Sequence, residues 1–146
     1  MIEIEEFKFD SEIYERSLHI RNEVLRLPIW RDLFNEDLSG DKKSIHVGAF
    51  DEGKMVGVVL MDKAPDSIIR LRQFAVRPFY QGKGIGTLLE DYCEKYAKRN
   101  GIKILTVHAR KEAIEFYKKC GFVAVGDEFE EVGIPHYEMY KAINNL

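Results

Sequence analysis

The chain has 146 residues, 45% of them hydrophobic and 32% charged, and carries a net charge of -3 at pH 7. This length suits one compact domain over residues 1–146, and the composition is that of an ordinary globular protein. The slight acidic balance argues against a dedicated nucleic-acid-binding protein, in which basic residues usually exceed acidic ones.

The first part of the chain predicts a strand and a helix. Apolar and polar residues alternate over residues 1–9, and Asp10 or Ser11 can cap a helix that Pro28 ends. Apolar residues at helical spacing within residues 28–43 predict a second, short helix followed by a loop. The acidic start lacks a signal-peptide core, and no stretch is long enough to span a bilayer, so we expect a cytoplasmic protein without membrane contact.

The middle of the chain predicts three strands, the last of which is irregular. Residues 44–61 form two strand-like runs around a turn at residues 51–54, and residues 68–76 form a third run. In this third run the apolar positions change parity near Gln73. A β-bulge and a strand buried on both faces explain the change equally well, although a bulge would often mark an active site.

The second half of the chain alternates helices and strands. A helical repeat over residues 85–99 is followed by Gly101, and a second repeat contains Ala113 and Tyr117 and stops at Gly121. The remaining segments are predicted, in chain order, as a strand over residues 102–109, a strand over 122–126, a loop over 127–135 and a last strand over 136–143.

The two cysteines, Cys93 and Cys120, form no Cys-x-x-Cys pair and fall on apolar faces of the predicted helices. This placement indicates reduced core thiols rather than a disulfide or a nucleophile. The four histidines and two cysteines show no metal-ligand spacing, so we expect no metal site.

Three glycines, Gly82, Gly84 and Gly86, crowd the start of the helix over residues 85–99. The start of a helix presents unpaired N–H groups and a positive dipole end, which together bind phosphates, and glycine would let an anion approach closely. The spacing matches neither the P-loop nor the dinucleotide-binding fingerprint. Glycines alone favour a flexible turn with close helix–strand packing over a phosphate site.

The same stretch resembles motif A of the GNAT superfamily of acetyl-CoA-dependent N-acetyltransferases, Gln/Arg-x-x-Gly-x-Gly/Ala, with Gln81, Gly84 and Gly86 at the motif positions. Residues 109–122 resemble the Ala-x-x-x-Tyr helix of that family, and residues 129–139 are similar to its ElaA/YjcF-like branch. The resemblance implies an α/β (α+β) fold. Its mixed, mostly antiparallel central sheet would be flanked by helices and contain a splayed pair of parallel strands that holds CoA.

The resemblance also implies a cofactor site for acetyl-CoA. The pyrophosphate would lie on the loop and helix start, which comprise Gln81, Gly82, Lys83, Gly84, Ile85, Gly86 and Thr87. The pantetheine arm would lie along Phe74, Ala75 and Val76, and Ala113 would complete the site. Many members carry asparagine at position 110, where this chain has Arg110, which we expect to face solvent rather than a phosphate.

Tyr117 matches the usual general acid of the family, although without the resemblance a core aromatic would be the better interpretation. A phenol can protonate the leaving thiolate, and the Val76 N–H group could stabilise the oxyanion. The candidates for a general base are Glu128, Glu130, Glu131, His108 and His136, and we select Glu131 and His136. His19 and His46 are assigned structural roles. Arg21 is expected to form a surface salt bridge, with contact to an acidic group of the acceptor as the alternative.

The expected activity is transfer of an acetyl group to a primary amine of a small molecule, peptide or protein, by a monomer or homodimer. The alternatives are a non-catalytic sensor or partner module that binds CoA or acetyl-CoA, and an enzyme that binds a nucleotide. The acidic run over residues 127–131 could attract a cationic amine or be a solvated loop.

Overall fold

Seven strands form one sheet in the computed structural model, which describes residues 1–144. The elements are, in chain order, β1 (Ile2–Phe7), α1 (Glu12–Leu25), β2 (Ile45–Asp51), β3 (Lys54–Ala64), β4 (Ile68–Val76), α2 (Ile85–Arg99), β5 (Ile104–Arg110), α3 (Ile114–Lys119), β6 (Val123–Glu131) and β7 (Ile134–Ala142). The spatial order is β1-β2-β3-β4-β5-β7-β6, and β4 and β5 are the parallel pair in an otherwise antiparallel sheet. The predicted mixed, mostly antiparallel fold is confirmed.

Helices α1 and α2 cover opposite faces of the sheet. Successive side chains of a strand point to opposite faces, and in β3 Val58 packs in one apolar cluster with Ile20 of α1. The neighbouring Val59 packs in the other cluster, with Leu89 and Cys93 of α2. Cys93 is buried, Cys120 is half-buried and both are free, in agreement with the prediction. No helix within residues 1–144 is long and apolar enough to cross a membrane.

A β-bulge interrupts β4 at Gln73, where the sequence pattern changes parity. Gln73 has a positive φ of 54°. Across the ladder with β3, the register moves from the pair of Leu60 with Arg72 to the pair of Val58 with Ala75. Of the two explanations left open by the sequence, the bulge is confirmed. It lies just beyond Leu71, the last residue of β4 that pairs with β5, so the two parallel strands part there.

The helix predicted within residues 28–43 is wrong. Three short 3-10 segments lie in this region: Leu27–Ile29, Leu33–Asn35 and Ser39–Lys43. Trp30 adopts a left-handed conformation with φ of 62°, which breaks the first segment. The Asp32 carboxylate accepts the N–H group of Phe34, so a local polar bond replaces continuation of a helix.

The loop predicted over residues 127–135 is also wrong. Strand β6 extends to Glu131, and a tight turn at Val132 and Gly133 leads into β7. The register between the two strands shifts between Val125 and Phe129, which breaks the alternation that the sequence would otherwise show. Because β6 lies at the sheet edge, its acidic side chains stand in solvent and mimic the composition of a loop.

Candidate active site

A cavity of about 820 Å³ lies where β4 and β5 part. This volume is in the range of small-molecule and cofactor sites, about 300–1,000 Å³. The predicted site residues that line it are Phe74, Ala75, Val76, Gln81, Gly82, Gly84, Ile85, Gly86, Thr87, Ala113, Tyr117, Glu131 and His136. Lys83 is not among the lining residues, because its ammonium lies 4.4 Å from the ring centroid of Phe79. The structure therefore brings the predicted cofactor-binding residues and the predicted catalytic residues together in one cavity.

The start of α2 forms one wall of this cavity. Gly84 is the N-cap residue, no side chain caps the helix, and its first turn carries no acidic residue. The first intrahelical bond runs from the Leu88 N–H group to the Gly84 carbonyl, so the N–H groups before Leu88 have no intrahelical acceptor. Ile85, Gly86 and Thr87 carry these groups and line the cavity. An unneutralised dipole end with free donors is suited to bind an anion.

The three glycines of this wall serve two different purposes. Gly82 and Gly84 have φ values of 76° and 85°, and a Cβ at either position would meet no atom within 4 Å. They therefore provide a left-handed backbone that leaves open space above it. A Cβ at Gly86 would lie 3.0 Å from Cε1 of Phe116, so this glycine lets α2 pack closely against α3.

Tyr117 lies inside an aromatic group at the inner wall. Its ring centroid is 6.0 Å from that of Phe74, 5.1 Å from Phe116 and 5.6 Å from Phe122. Burial raises the pKa of Tyr117 well above its usual value, so the phenol keeps its proton at neutral pH. Within residues 1–144 we find no hydrogen bond from its hydroxyl, while the residue lines the cavity. Tyr117 can therefore donate a hydrogen bond to a bound molecule.

Glu131 and two histidines form the opposite wall. The Glu131 Oε1 atom lies 2.9 Å from Nδ1 of His108, and its Oε2 atom lies 3.7 Å from Nε2 of His136. Burial alone would raise the pKa of Glu131, but the hydrogen bond with His108 and the nearby charges of His108, His136 and Arg70 together hold the pKa below its usual value. Phe129 packs against both imidazole rings. Glu131 is therefore an ionised acceptor at neutral pH.

The orientation of His136 defines its tautomer. Nδ1 lies 2.9 Å from the Ile134 carbonyl oxygen, which can only accept, so Nδ1 carries the proton of the neutral ring. Nε2 then has a free lone pair, and the side chain is almost fully buried. An imidazole nitrogen without a hydrogen-bond partner beside a carboxylate has the arrangement expected of a general base.

Glu128 and Glu130 do not belong to the site. Both are exposed on β6, where Glu128 accepts a hydrogen bond from the Tyr137 hydroxyl and pairs with Lys111. Of the acidic run, Glu131 alone lines the cavity. This correction removes most of the negative charge that was expected to attract a cationic amine.

The expectation for Arg21 is wrong, because its side chain is only 1% exposed. Nε donates to Oε1 of Gln73 over 3.0 Å, and Nη1 donates to Oδ2 of Asp41 over 2.7 Å. Asp41 also accepts from Tyr14 and Arg72, and its backbone carbonyl lies 2.8 Å from Nε2 of the buried His46. A buried polar network thus anchors the bulge, and His46 has the predicted structural role.

Arg110 does not face solvent as predicted. It is partly buried, lines the cavity and donates from Nη2 to the Leu25 carbonyl at the end of α1. Sequence reasoning also missed Arg70, another lining residue. Alternation along β4 and β5 could have identified both, since Arg70, His108 and Arg110 lie on the face opposite the buried residues of their strands.

The parted parallel strands and the free start of α2 agree with the arrangement that the resemblance to the acetyltransferases implies. The chain belongs to the acetyltransferase (GNAT) domain family, which matches residues 22–143. It is 29% identical over 102 residues to the N-acetyltransferase YjcF of Bacillus subtilis, covering 69% of this chain and 72% of that protein.

Solved structures show the same fold at low identity. Escherichia coli ElaA aligns with a TM-score of 0.76 and 20% identity over 97% of this chain and 99% of its own. The PaiA N-acetyltransferase of Thermoplasma acidophilum, solved with coenzyme A, aligns with a TM-score of 0.79 and 20% identity over 97% of this chain and 99% of its own. The resemblance to the family and to ElaA and YjcF is therefore confirmed.

Proposed function

We propose that the protein transfers an acetyl group from acetyl-CoA to a primary amine by direct attack in a ternary complex. The observation that carries the proposal is that one cavity joins the free start of α2, the buried phenol of Tyr117 and the pair of Glu131 and His136. The pyrophosphate of the cofactor would bind the N–H groups at Gly84–Thr87. The pantetheine arm would extend along Phe74–Val76 into the gap between β4 and β5.

The acceptor must be neutral at the moment of attack, whereas a lysine-type amine has a pKa of about 10. His136 Nε2 and the Glu131 carboxylate lie together and can take the proton that the amine loses. The amine nitrogen then forms a bond to the thioester carbon, and the Val76 N–H group is a candidate donor to the resulting oxyanion. The nitrogen carries a positive charge in this intermediate, and the proton that it loses as the amide forms replaces the one that Tyr117 gives to the thiolate. An ionised Glu131 beside His136 would also stabilise the imidazolium after proton transfer.

Collapse of the tetrahedral intermediate breaks the carbon–sulfur bond and releases a thiolate. Tyr117 is the proposed donor of the proton that this thiolate takes up. Because burial raises its pKa, the phenol remains protonated until the thiolate forms beside it. The aromatic group around Tyr117 excludes water, so the thiolate would find few other donors.

Replacing Tyr117 with phenylalanine tests this assignment. We expect Tyr117→Phe to lower kcat by about 10²–10⁴-fold, the usual contribution of a positioned acid, with the affinity for acetyl-CoA preserved. Release of free thiol from acetyl-CoA, measured with a panel of primary amines, gives the rate. Tyr96→Phe is the matched control, because Tyr96 packs against the same core and does not line the cavity. Equal kcat values for the two variants would contradict an acid role for Tyr117.

A further inference from the structure

Two guanidinium groups in the cavity have no part in the proposed acetyl transfer. Arg110 donates to Leu25 at the end of α1, and Arg70 lies near His108 and Glu131. All these groups lie on the α1 side of the sheet, whereas the start of α2 lies on the other side. The two arginines are therefore at the end of the cavity where an acceptor would enter, away from the cofactor phosphates.

The other two arginines of the cavity are already paired. Arg26 donates to the Glu36 carboxylate over 2.6 Å. Arg72 donates to Asp62 over 2.6 Å and to Asp41 over 2.7 Å. Both guanidinium groups therefore already pair with carboxylates of the protein.

Arg110 and Arg70 lack such partners. Within residues 1–144 no carboxylate oxygen lies within 4.0 Å of the Arg110 guanidinium, whose one hydrogen bond is to the Leu25 carbonyl. Nε of Arg70 is buried without a hydrogen-bond partner, and its nearest carboxylate, Glu131, is 3.8 Å away and shared with His108. Among residues 1–144, Glu131 is thus the one carboxylate within 4.0 Å of either guanidinium.

A partly buried guanidinium without an anion is costly, because burial disfavours charge. Burial, together with the positive charge of Arg26, lowers the pKa of Arg110. A bound anion would offset this desolvation penalty. The planar guanidinium of arginine can also form two parallel hydrogen bonds with a carboxylate or a phosphate. The cavity therefore favours a ligand that brings negative charge to Arg110.

We propose that the acceptor amine also carries an anionic group, a carboxylate or a phosphate, which Arg110 binds with the help of Arg70. The proposal rests on the proposed transferase function. Arg110 is the direct ladder neighbour of His136 on β7. Residues that face each other in this way have Cβ atoms about 4.5–5.5 Å apart, so the anion and the reacting amine are separated by only a few bonds. Compact amino acids and amino phosphates fit this description.

Matched amine pairs test the proposal through thiol release. The pairs are 4-aminobutyrate with butylamine, β-alanine with propylamine, and phosphoethanolamine with ethanolamine. We expect the anionic member to have the higher kcat/KM by about 10- to 100-fold, as for one or two charge-assisted hydrogen bonds. The phosphate pair and the carboxylate pairs distinguish the two possible anions.

Substitution of Arg110 links the preference to this residue. Arg110→Gln should remove the preference mainly by raising KM for the anionic acceptor, and Arg110→Lys should restore part of it. Lys111→Gln is the control, since Lys111 is the adjacent cation, lies outside the cavity and pairs with Glu128. Arg110→Gln should change the KM for butylamine less than the KM for 4-aminobutyrate, and Lys111→Gln should leave both unchanged.

Binding of 4-acetamidobutyrate, the product of one pair, gives a readout that needs no turnover. Calorimetry should show at least about tenfold weaker binding to Arg110→Gln than to the wild type. Turnover of amines without preference for the anionic members would overturn this inference alone. A rise in KM for acetyl-CoA in Arg110→Gln would assign the residue to the cofactor. Absence of turnover with every amine would overturn the transferase proposal as well.

Discussion

Gly84 combines a backbone conformation that side chains disfavour with open space for a ligand. Its φ of 85° is strained for any side chain, and the space above it is open towards the cavity. Gly53, in the β2–β3 turn, has a φ of 80° and equally open space but lies outside that cavity. Substitutions at the two positions therefore separate two effects: the loss of unfolding free energy caused by backbone strain, and the loss of affinity caused by blocking an anion.

We expect Gly84→Ala to weaken CoA binding by about tenfold or more, equivalent to about 1.4 kcal/mol, because a methyl group would occupy the place of the phosphates. Gly53→Ala should cost the same backbone strain, about 1–2 kcal/mol of unfolding free energy, without changing CoA affinity. Isothermal titration with CoA and chemical denaturation of both variants provide the two measurements. CoA affinities that fall equally in both variants would rule out the phosphate site.

Single residues also show which features of the site could be predicted from the sequence and which could not. The glycines alone favoured a flexible turn with close helix–strand packing, and the resemblance to motif A implied an open helix start, such as Gly82 and Gly84 provide. The packing role of Gly86 depends on Phe116, which is distant in sequence and reaches it only through the fold. Arg110 was expected in solvent because its neighbours at the end of α1 could not be located from local pattern.

Among the elements, β4 lines the cavity continuously from Arg70 to Val76. Its bulge was foreseen as one of two explanations, since a change of parity is a local property of the sequence. The buried group that holds the bulge was not foreseen, because Arg21 and Gln73 are 52 residues apart. Strand β6 was partly missed for a different reason: a second bulge, near Gly126, hides the alternation.

The buried network of Arg21, Asp41 and Gln73 gives a prediction for strand β4. We expect Arg21→Met to lower the free energy of unfolding by about 3–5 kcal/mol, because it leaves the buried Asp41 with a weaker set of partners. The freed Gln73 side chain should loosen the bulge and raise KM for acetyl-CoA. Urea denaturation and steady-state kinetics measure the two effects.

Lys95→Met provides the comparison for Arg21→Met, because Lys95 forms an exposed pair with Asp91 on α2. Such surface pairs contribute about 0–1 kcal/mol, so this variant should be nearly as stable as the wild type. If both substitutions lowered stability by the same small amount, the buried network would not be what anchors β4.

At the scale of the whole molecule, the sheet separates two kinds of chemistry. The face covered by α2 presents the free N–H groups at the start of that helix, and the face covered by α1 presents Arg110, His136 and Glu131. The gap between β4 and β5 connects the two faces. The overall order of strands and helices was predictable from periodicity and from the family motifs, whereas this division of charge between the faces depends on the assembled sheet.

A ligand that spans this gap should stabilise the entire fold. At a concentration of 100 times its Kd, CoA should raise the free energy of unfolding by about 2.7 kcal/mol and Tm by about 5–10 °C. ATP shares the phosphates but has no pantetheine arm to lie along Phe74–Val76, so at the same concentration it should give a much smaller shift. Thermal unfolding of the wild type and of Gly84→Ala with each ligand measures this difference. An equal shift with ATP would assign the cavity to a nucleotide instead of CoA.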